Sequence, residues 1–284
     1  MTSRMVRVVL AALVSLAGSA AVQAQDGGLT FANLGTPSGG PARVIGSYAA
    51  GCISGAVALP LEGPGYEVIR VSRNRYWGHN SVVRFVQDFG RRVQASRLPT
   101  VYIGDISQPR GGRMGFGHAS HQVGLDVDIW FELSPKPRLA AAAREEPLLR
   151  SLTLADDSGI DPSVWQAGHA TLLRLAAEDP AVDRIFVNKL IKRQLCQTIT
   201  GDRTWLRKVT PWYFHNEHFH VRLVCPPDSP ECTPQAPIPA GDGCGKSLDD
   251  WFVPPPPRPA VAPPPPKPRP PRYPASCQAV LHAP

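Results

Sequence analysis

Two short windows hold five of the eight histidines in this chain, and whether they meet decides what it can fold into. The first, Met114–Phe131, reads MGFGHASHQVGLDVDIWF, with His118 and His121 followed by Asp126 and Asp128 on alternate positions of an apolar run. The second, Phe214-His215-Asn216-Glu217-His218-Phe219-His220, lies about ninety residues later. Neutral imidazole and carboxylate are the nitrogen and oxygen ligands that a borderline cation such as zinc accepts. Side chains alternate across a strand, so Leu125, Val127 and Ile129 share one face of residues 125–131, and Asp126, Asp128 and Trp130 the other. In His218–Cys225, Phe219, Val221 and Leu223 oppose His218, His220 and Arg222. His121-x6-Asp128 is too long for one helical turn and suits two sides of a bend at Gly124.

Together, His121, Asp128 and His220 make a His2Asp set, with the fourth position of a hydrolytic zinc site left for water. His218 shares the ligand face, roughly 6–7 Å along the strand from His220. It is the expected general base, since an ordinary imidazole pKa of about 6.5 suits proton transfer at neutral pH. Glu217 faces the other way on this register. Asp126 serves equally well as a direct ligand or as a hydrogen-bond partner of a ligand histidine. His79, His169 and His282 stand alone and read as ordinary core or surface residues.

The N-terminus narrows the compartment. Arg4 and Arg7 precede an apolar run of about fourteen residues, Val8 to Ala21, and Val22-Gln23-Ala24 offers small residues for cleavage. This reads as a secretory signal peptide over residues 1–24, too short to span a bilayer comfortably. An exported chain with six cysteines, all beyond the signal and none in a C-x2-C pair, is expected to form three disulfides. Cys225 and Cys232 bracket a Pro-rich turn and are expected to pair with each other. Spacing leaves open the pairing of Cys52, Cys196, Cys244 and Cys277.

The net charge of +7 suggests nucleic acid until it is located. Arg4 and Arg7 leave with the signal, and Arg258, Lys267, Arg269 and Arg272 sit in an acid-free tail, so the remaining body carries about +1. A nearly neutral body excludes nucleic acid as the main partner. Residues 253–284 are Pro-rich and favour an extended arm tied back by Cys277, leaving 25–252 as the catalytic domain.

Within that domain, the patterns predict strands at 66–71, 99–105, 182–187 and 218–225. A core helix follows Asn80-Ser81 as its cap, with Val82, Val83, Phe85, Val86 and Phe89 at helical spacing. A helix-containing excursion is expected over 136–160, then a helix from near Pro162 ending at Asp179-Pro180, and a basic helix over Lys189–Cys196. Mixed short elements without βαβ alternation predict an α+β fold: a central antiparallel sheet carrying the zinc site, flanked by helices and long loops and stapled by disulfides. Nothing in the sequence sets an oligomeric state.

Ser120-His121-Gln122-Val123-Gly124-x3-Asp128 and His218-x-His220 resemble the zinc peptidases grouped with lysostaphin and the D-alanyl-D-alanine carboxypeptidases. Closer still, Gly117-His118-Ala119-Ser120-His121-Gln122-x-Gly124-Leu125-Asp126-x-Asp128, Ile185-Phe186-Val187-Asn188, Trp205-Leu206-Arg207-Lys208 and His215-x2-His218-x-His220 resemble the penicillin-insensitive murein endopeptidases, over roughly Cys52 to Cys277.

The resemblance implies periplasmic hydrolysis of D-alanyl–meso-diaminopimelyl cross-link peptides in peptidoglycan by a zinc-activated water, without a serine acyl-enzyme. It implies ligands at His121, Asp128 and His220, His218 as base, and His118 and His215 as further site histidines. It also implies disulfides Cys52–Cys277, Cys196–Cys244 and Cys225–Cys232. A second metal in such proteins would fall near Asp156 and Asp157 here. Two rival readings are a D-alanyl-D-alanine carboxypeptidase on the same scaffold and a non-catalytic metal- or wall-binding protein.

Overall fold

The structure, a computed structural model, describes residues 30–254 and 272–284. The expected signal, 1–24, and most of the Pro-rich arm lie outside those residues. The order is β1 (Arg43–Ser47), β2 (Ala50–Ser54), β3 (Val57–Ala58), β4 (Glu62–Gly63), β5 (Tyr66–Val68), β6 (Trp77–Gly78), α1 (Asn80–Ala95), β7 (Val101–Ile103) and β8 (Asp126–Trp130). Then come α2 (Ala167–Ala177), β9 (Val182–Val187), α3 (Lys189–Thr198), β10 (Val209–Pro211), β11 (His218–Leu223), α4 (Lys246–Asp249) and α5 (Ser276–His282). No helix among the described residues is long and apolar enough to cross a membrane.

The fold is α+β around a seven-stranded sheet ordered β10-β9-β11-β8-β7-β5-β4. Its centre is antiparallel, as the sequence predicts: β9 with β11, β11 with β8, and β8 with β7. Outside that centre β10 joins β9, and β5 joins β7, in parallel, so the whole sheet is mixed.

The β8–β11 register follows from the alternation of both strands. Phe219 pairs with Ile129 and Val221 with Val127, while His218 pairs with Trp130, His220 with Asp128, and Arg222 with Asp126. A one-residue slip would bring the polar row of one strand against the apolar row of the other, which burial on both faces forbids. The apolar row joins the main core, with Val82, Phe85, Val86, Phe89 and Val93 of α1 and Leu172, Leu173 and Ala176 of α2. Phe219 sits 6.4 Å from the Phe89 ring and 5.1 Å from Phe131. Each such fully buried side chain contributes about 1.5–3 kcal/mol of hydrophobic stabilisation.

Two helix starts differ from expectation. The α1 cap is His79, whose Nδ1 accepts the Ser81 amide at 3.1 Å, so the isolated histidine has a structural job one residue before the expected cap. Pro162 does not open α2. Asp161 folds into a turn over Ser163, and the helix begins only after Gln166, where His169 Nδ1 accepts the Gln166 amide at 3.0 Å. The stretch 136–160 holds one 3₁₀ turn, Ala142–Arg144, instead of a longer helix. Polar anchors hold it irregular: Arg138 and Arg144 on Glu62, Leu139 amide on Glu67, and Arg150 on Glu132.

Three disulfides are present: Cys52–Cys277, Cys196–Cys244 and Cys225–Cys232, with Cα separations of 5.8, 5.7 and 5.7 Å. The first docks α5 on β2 in a second small core with Phe31, Ile45, Val280 and Leu281. Buried Arg110 reinforces it by donating to the carbonyls of Val280 and Pro284 at 3.0 and 3.1 Å.

Candidate metal centre

The polar faces of β8 and β11 meet the loop that precedes β8, and there the two histidine windows come together. Gly124 makes the bend at φ +67, and a Cβ there would lie 2.8 Å from Gly78 Cα, so the turn requires glycine. His121 is left-handed too, at φ 65, a conformation costly for a histidine. It is held by its amide donating to Asp126 Oδ2 at 2.9 Å and its Nδ1 donating to the Ile106 carbonyl at 2.8 Å. That second bond holds Nδ1 and turns Nε2 toward Asp128 and His220.

Three donor atoms then form a nearly regular triangle. His121 Nε2 is 3.2 Å from His220 Nδ1 and 3.3 Å from Asp128 Oδ1, and His220 Nδ1 is 3.6 Å from that oxygen. Donors about 2.1 Å from a shared tetrahedral centre lie about 3.4 Å from one another, which matches all three edges. Asp128 Oδ1 is buried with no hydrogen-bond partner among the described residues. A buried carboxylate oxygen so placed is costly unless a charge meets it, so the donor set fits a divalent cation of the zinc type.

The remaining histidines ring this triangle. His118 Nε2 contacts Asp105 Oδ2 at 3.0 Å and Asp128 Oδ2, the outer oxygen, at 3.6 Å. By distances alone His118, His121 and Asp128 form a ligand group, yet His118 nitrogen is already engaged by Asp105 while His220 Nδ1 faces the unpartnered oxygen. The geometry therefore favours His220 as third donor and His118 as a flanking residue. His218 Nε2 stands 3.7 Å from Asp128 Oδ1, with its ring 5.0 Å from Trp130 and 5.0 Å from His215. His121 is wholly buried, whereas the His118 and His218 side chains keep 19% and 21% exposure, so the cluster opens to solvent on their side. Asp156 and Asp157 are exposed and join no group of three ligand-type side chains among the described residues.

Electrostatics agree with the geometry. Burial pushes His220 down to about 3 and His218 to about 4, so both are neutral lone-pair carriers at pH 7. Burial also works against charge on His121, but Asp128, Asp126 and the Ile106 carbonyl outweigh it and push that imidazole up to about 9. At pH 7 that imidazole carries the positive charge facing Asp128, the charge a bound cation would supply in its place. Burial raises both carboxyls, yet both lie well below the usual range, Asp126 chiefly through the Arg222 guanidinium and Asp128 chiefly through His121.

Several residues of the site carry no sequence signal. Asp105 orients His118 and takes ion pairs from Arg75 at 2.9 Å and Arg73 at 3.3 Å, but it is a lone acid in a strand-to-loop exit. The Ile106 carbonyl is invisible to any reading of side chains. Phe186, edge-on to His220 at 5.2 Å, is marked in the sequence only as part of Ile185-Phe186-Val187-Asn188.

Fold and cluster together define a disulfide-stapled α+β domain built around a histidine–carboxylate centre. A family model described as penicillin-insensitive murein endopeptidase matches residues 44–282. The chain is 50% identical over 247 residues to the penicillin-insensitive murein endopeptidase of Haemophilus influenzae, covering 86% of this chain and 84% of that one. Proteins of the same description from Klebsiella pneumoniae and Salmonella paratyphi C are 47% identical over 276 residues and 48% over 245, covering 96% of each chain in the first case and 86% and 88% in the second. The chain belongs to the penicillin-insensitive murein endopeptidase family, a peptidase family.

Proposed function

We propose that this protein is an exported, zinc-dependent murein endopeptidase that hydrolyses D-alanyl–meso-diaminopimelyl cross-links of peptidoglycan in the periplasm. The observation that carries the metal reading is the triangle of His121 Nε2, His220 Nδ1 and Asp128 Oδ1 around an unpartnered buried oxygen. Zinc held by these three residues would supply Lewis acidity, which activates water and polarises the scissile carbonyl.

The chain's own groups do the rest. His218, neutral and beside the donor triangle, takes the proton of the attacking water at Nε2 and delivers it to the departing amine. Trp130 and His215 hold its ring in place. Asp126 aims His220 by facing its Nε2 at 3.0 Å, which leaves Nδ1 toward Asp128. No serine is needed as nucleophile, which accounts for indifference to penicillin.

The test uses purified mature protein and cross-linked muropeptide dimers, with and without a chelator, with product masses read directly. Dimers should be split into monomers at the cross-link, and chelation should abolish this; dimers left intact by the metal-loaded protein would overturn the reading. Loss of a terminal D-alanine alone would assign a carboxypeptidase instead. His218→Ala should retain zinc while losing about 10²–10⁴-fold in kcat, and full activity in that variant would remove His218 as the base.

A further inference from the structure

Beyond the donor cluster, the loop between β10 and β11 presents three consecutive aromatics to solvent. Trp212, Tyr213 and Phe214 are 48%, 66% and 84% exposed. Phe214 and His215 are both left-handed, at φ 60 and 49, which bulky residues adopt only when the surroundings impose it. Trp251 closes the group, 5.0 Å from the Tyr213 ring and 6.2 Å from Trp212. These rings line a pocket of about 720 Å³.

That pocket is joined to the metal centre by ring contacts. Trp212 lies 5.5 Å from Phe186, and Phe186 lies 5.2 Å from His220 and 6.4 Å from His215. The charges at the pocket's rim nearly balance: Asp250 binds Lys246 at 2.7 Å, Lys189 donates to the Trp251 carbonyl at 3.2 Å with its ammonium 4.9 Å from the Phe252 ring, and Asp157 lines the rim with no ion pair among the described residues. The Asn188 carbonyl oxygen caps α3, which leaves its amide NH₂ without a partner among the described residues. An aromatic floor whose rim charges nearly balance gives the charged stem peptide little to hold. It suits a neutral, amide- and hydroxyl-bearing ring whose C–H face stacks on an indole.

We propose that Trp212, Tyr213 and Trp251 form a saccharide subsite that seats an N-acetylated sugar of the murein glycan next to the cross-link being cut. This rests on the endopeptidase reading. Binding energy from the non-reacting glycan would then place the peptide over the donor cluster.

The experiment compares two substrates: muropeptide dimers bearing their disaccharides, and the same dimers freed of sugar by an amidase. The wild-type protein should cleave the glycosylated dimer with the higher kcat/KM. Trp251→Ala and Tyr213→Ala should raise KM for that dimer about tenfold, the size of one lost stacking contact. Their kinetics on the sugar-free dimer should stay unchanged, which also shows that they are folded. Trp251→Phe should recover most of the loss. Chitotetraose should quench tryptophan fluorescence in the wild type and do so less in Trp251→Ala. Equal wild-type kinetics on both substrates overturns the subsite while leaving the endopeptidase intact, and failure on both overturns the endopeptidase itself. If the variants speed cleavage of both dimers alike, the wall holds a segment of the chain itself and the proposal fails.

Discussion

Asp126 sits one layer behind the donor triangle and organises three partners at once. It accepts Arg222 Nε and Nη2 at 2.8 and 3.1 Å and the His121 amide at 2.9 Å, and it faces His220 Nε2 at 3.0 Å. A carboxylate in that position sets ligand tautomer and ring orientation, and its loss typically costs 10–100-fold in metal affinity. Asp126→Asn should therefore weaken zinc binding by about that factor in a chelator competition. It should also destabilise the fold by about 3 kcal/mol, because Arg222, 7% exposed, is left as a buried charge without its counter-ion. The two readouts separate the roles: unfolding free energy alone would fall if Asp126 served only Arg222, and unchanged zinc affinity would then refute its part in aiming His220.

At the scale of elements, the C-terminal end of β8 anchors the irregular stretch that follows. Glu132 accepts Arg150 Nε and Nη2, both at 2.9 Å, and the Ser134 amide at 2.8 Å, while Lys136 donates to its backbone carbonyl at 2.7 Å. Burial alone would raise this carboxyl, but Arg150 and Ser134 outweigh it and bring Glu132 down to about 2. A carboxyl depressed in the folded state adds stability that is complete above its unfolded value of about 4.5 and is lost as pH falls toward 2. Arg150 is 38% exposed, so solvent screening reduces the contribution to about 1–2 kcal/mol. Between pH 4.5 and 2 the wild type should lose that much more unfolding free energy than Glu132→Gln; parallel curves would show the pair to be unimportant. The same stretch explains why a helix was expected over 136–160. Its composition is compatible with one, and only tertiary partners distant in sequence, Glu62 and Glu67, pull it out of helical shape. Strands β8, β9 and β11 were legible because each alternates or runs apolar over five or six residues. The parallel pairings of β10 with β9 and β5 with β7 rest on three residues each, too few to show a period.

Across the whole molecule, the cysteines carry the constraint that the hydrophobic pattern does not. An expected signal peptide and an even cysteine count pointed to three bridges. The pairing of Cys52 with Cys277 needed either a resemblance or a structure, since nothing local to α5 says that it packs on β2. The places of Asp128 and His220 were legible for the opposite reason: alternation within β8 and β11 sets them on one face, whereas His121, Asp105 and the Ile106 carbonyl are set by loops with no repeat to read. Cys52–Cys277 closes a sequence separation of 225 and Cys225–Cys232 one of only 7. If a bridge acts chiefly by restricting the unfolded chain, the long closure contributes about 5 kcal/mol and the short one about half as much. The double variant Cys52→Ala/Cys277→Ala should then lower Tm by roughly 10–20 °C in a scanning calorimeter, and Cys225→Ala/Cys232→Ala by about half that. The main core of α1, α2, β8 and β11 shares no residue with the small core around Cys277, so the long-bridge variant should still fold and bind zinc. Equal Tm losses for the two pairs would reject chain restriction as the cause and assign the stabilisation to native packing around each bridge.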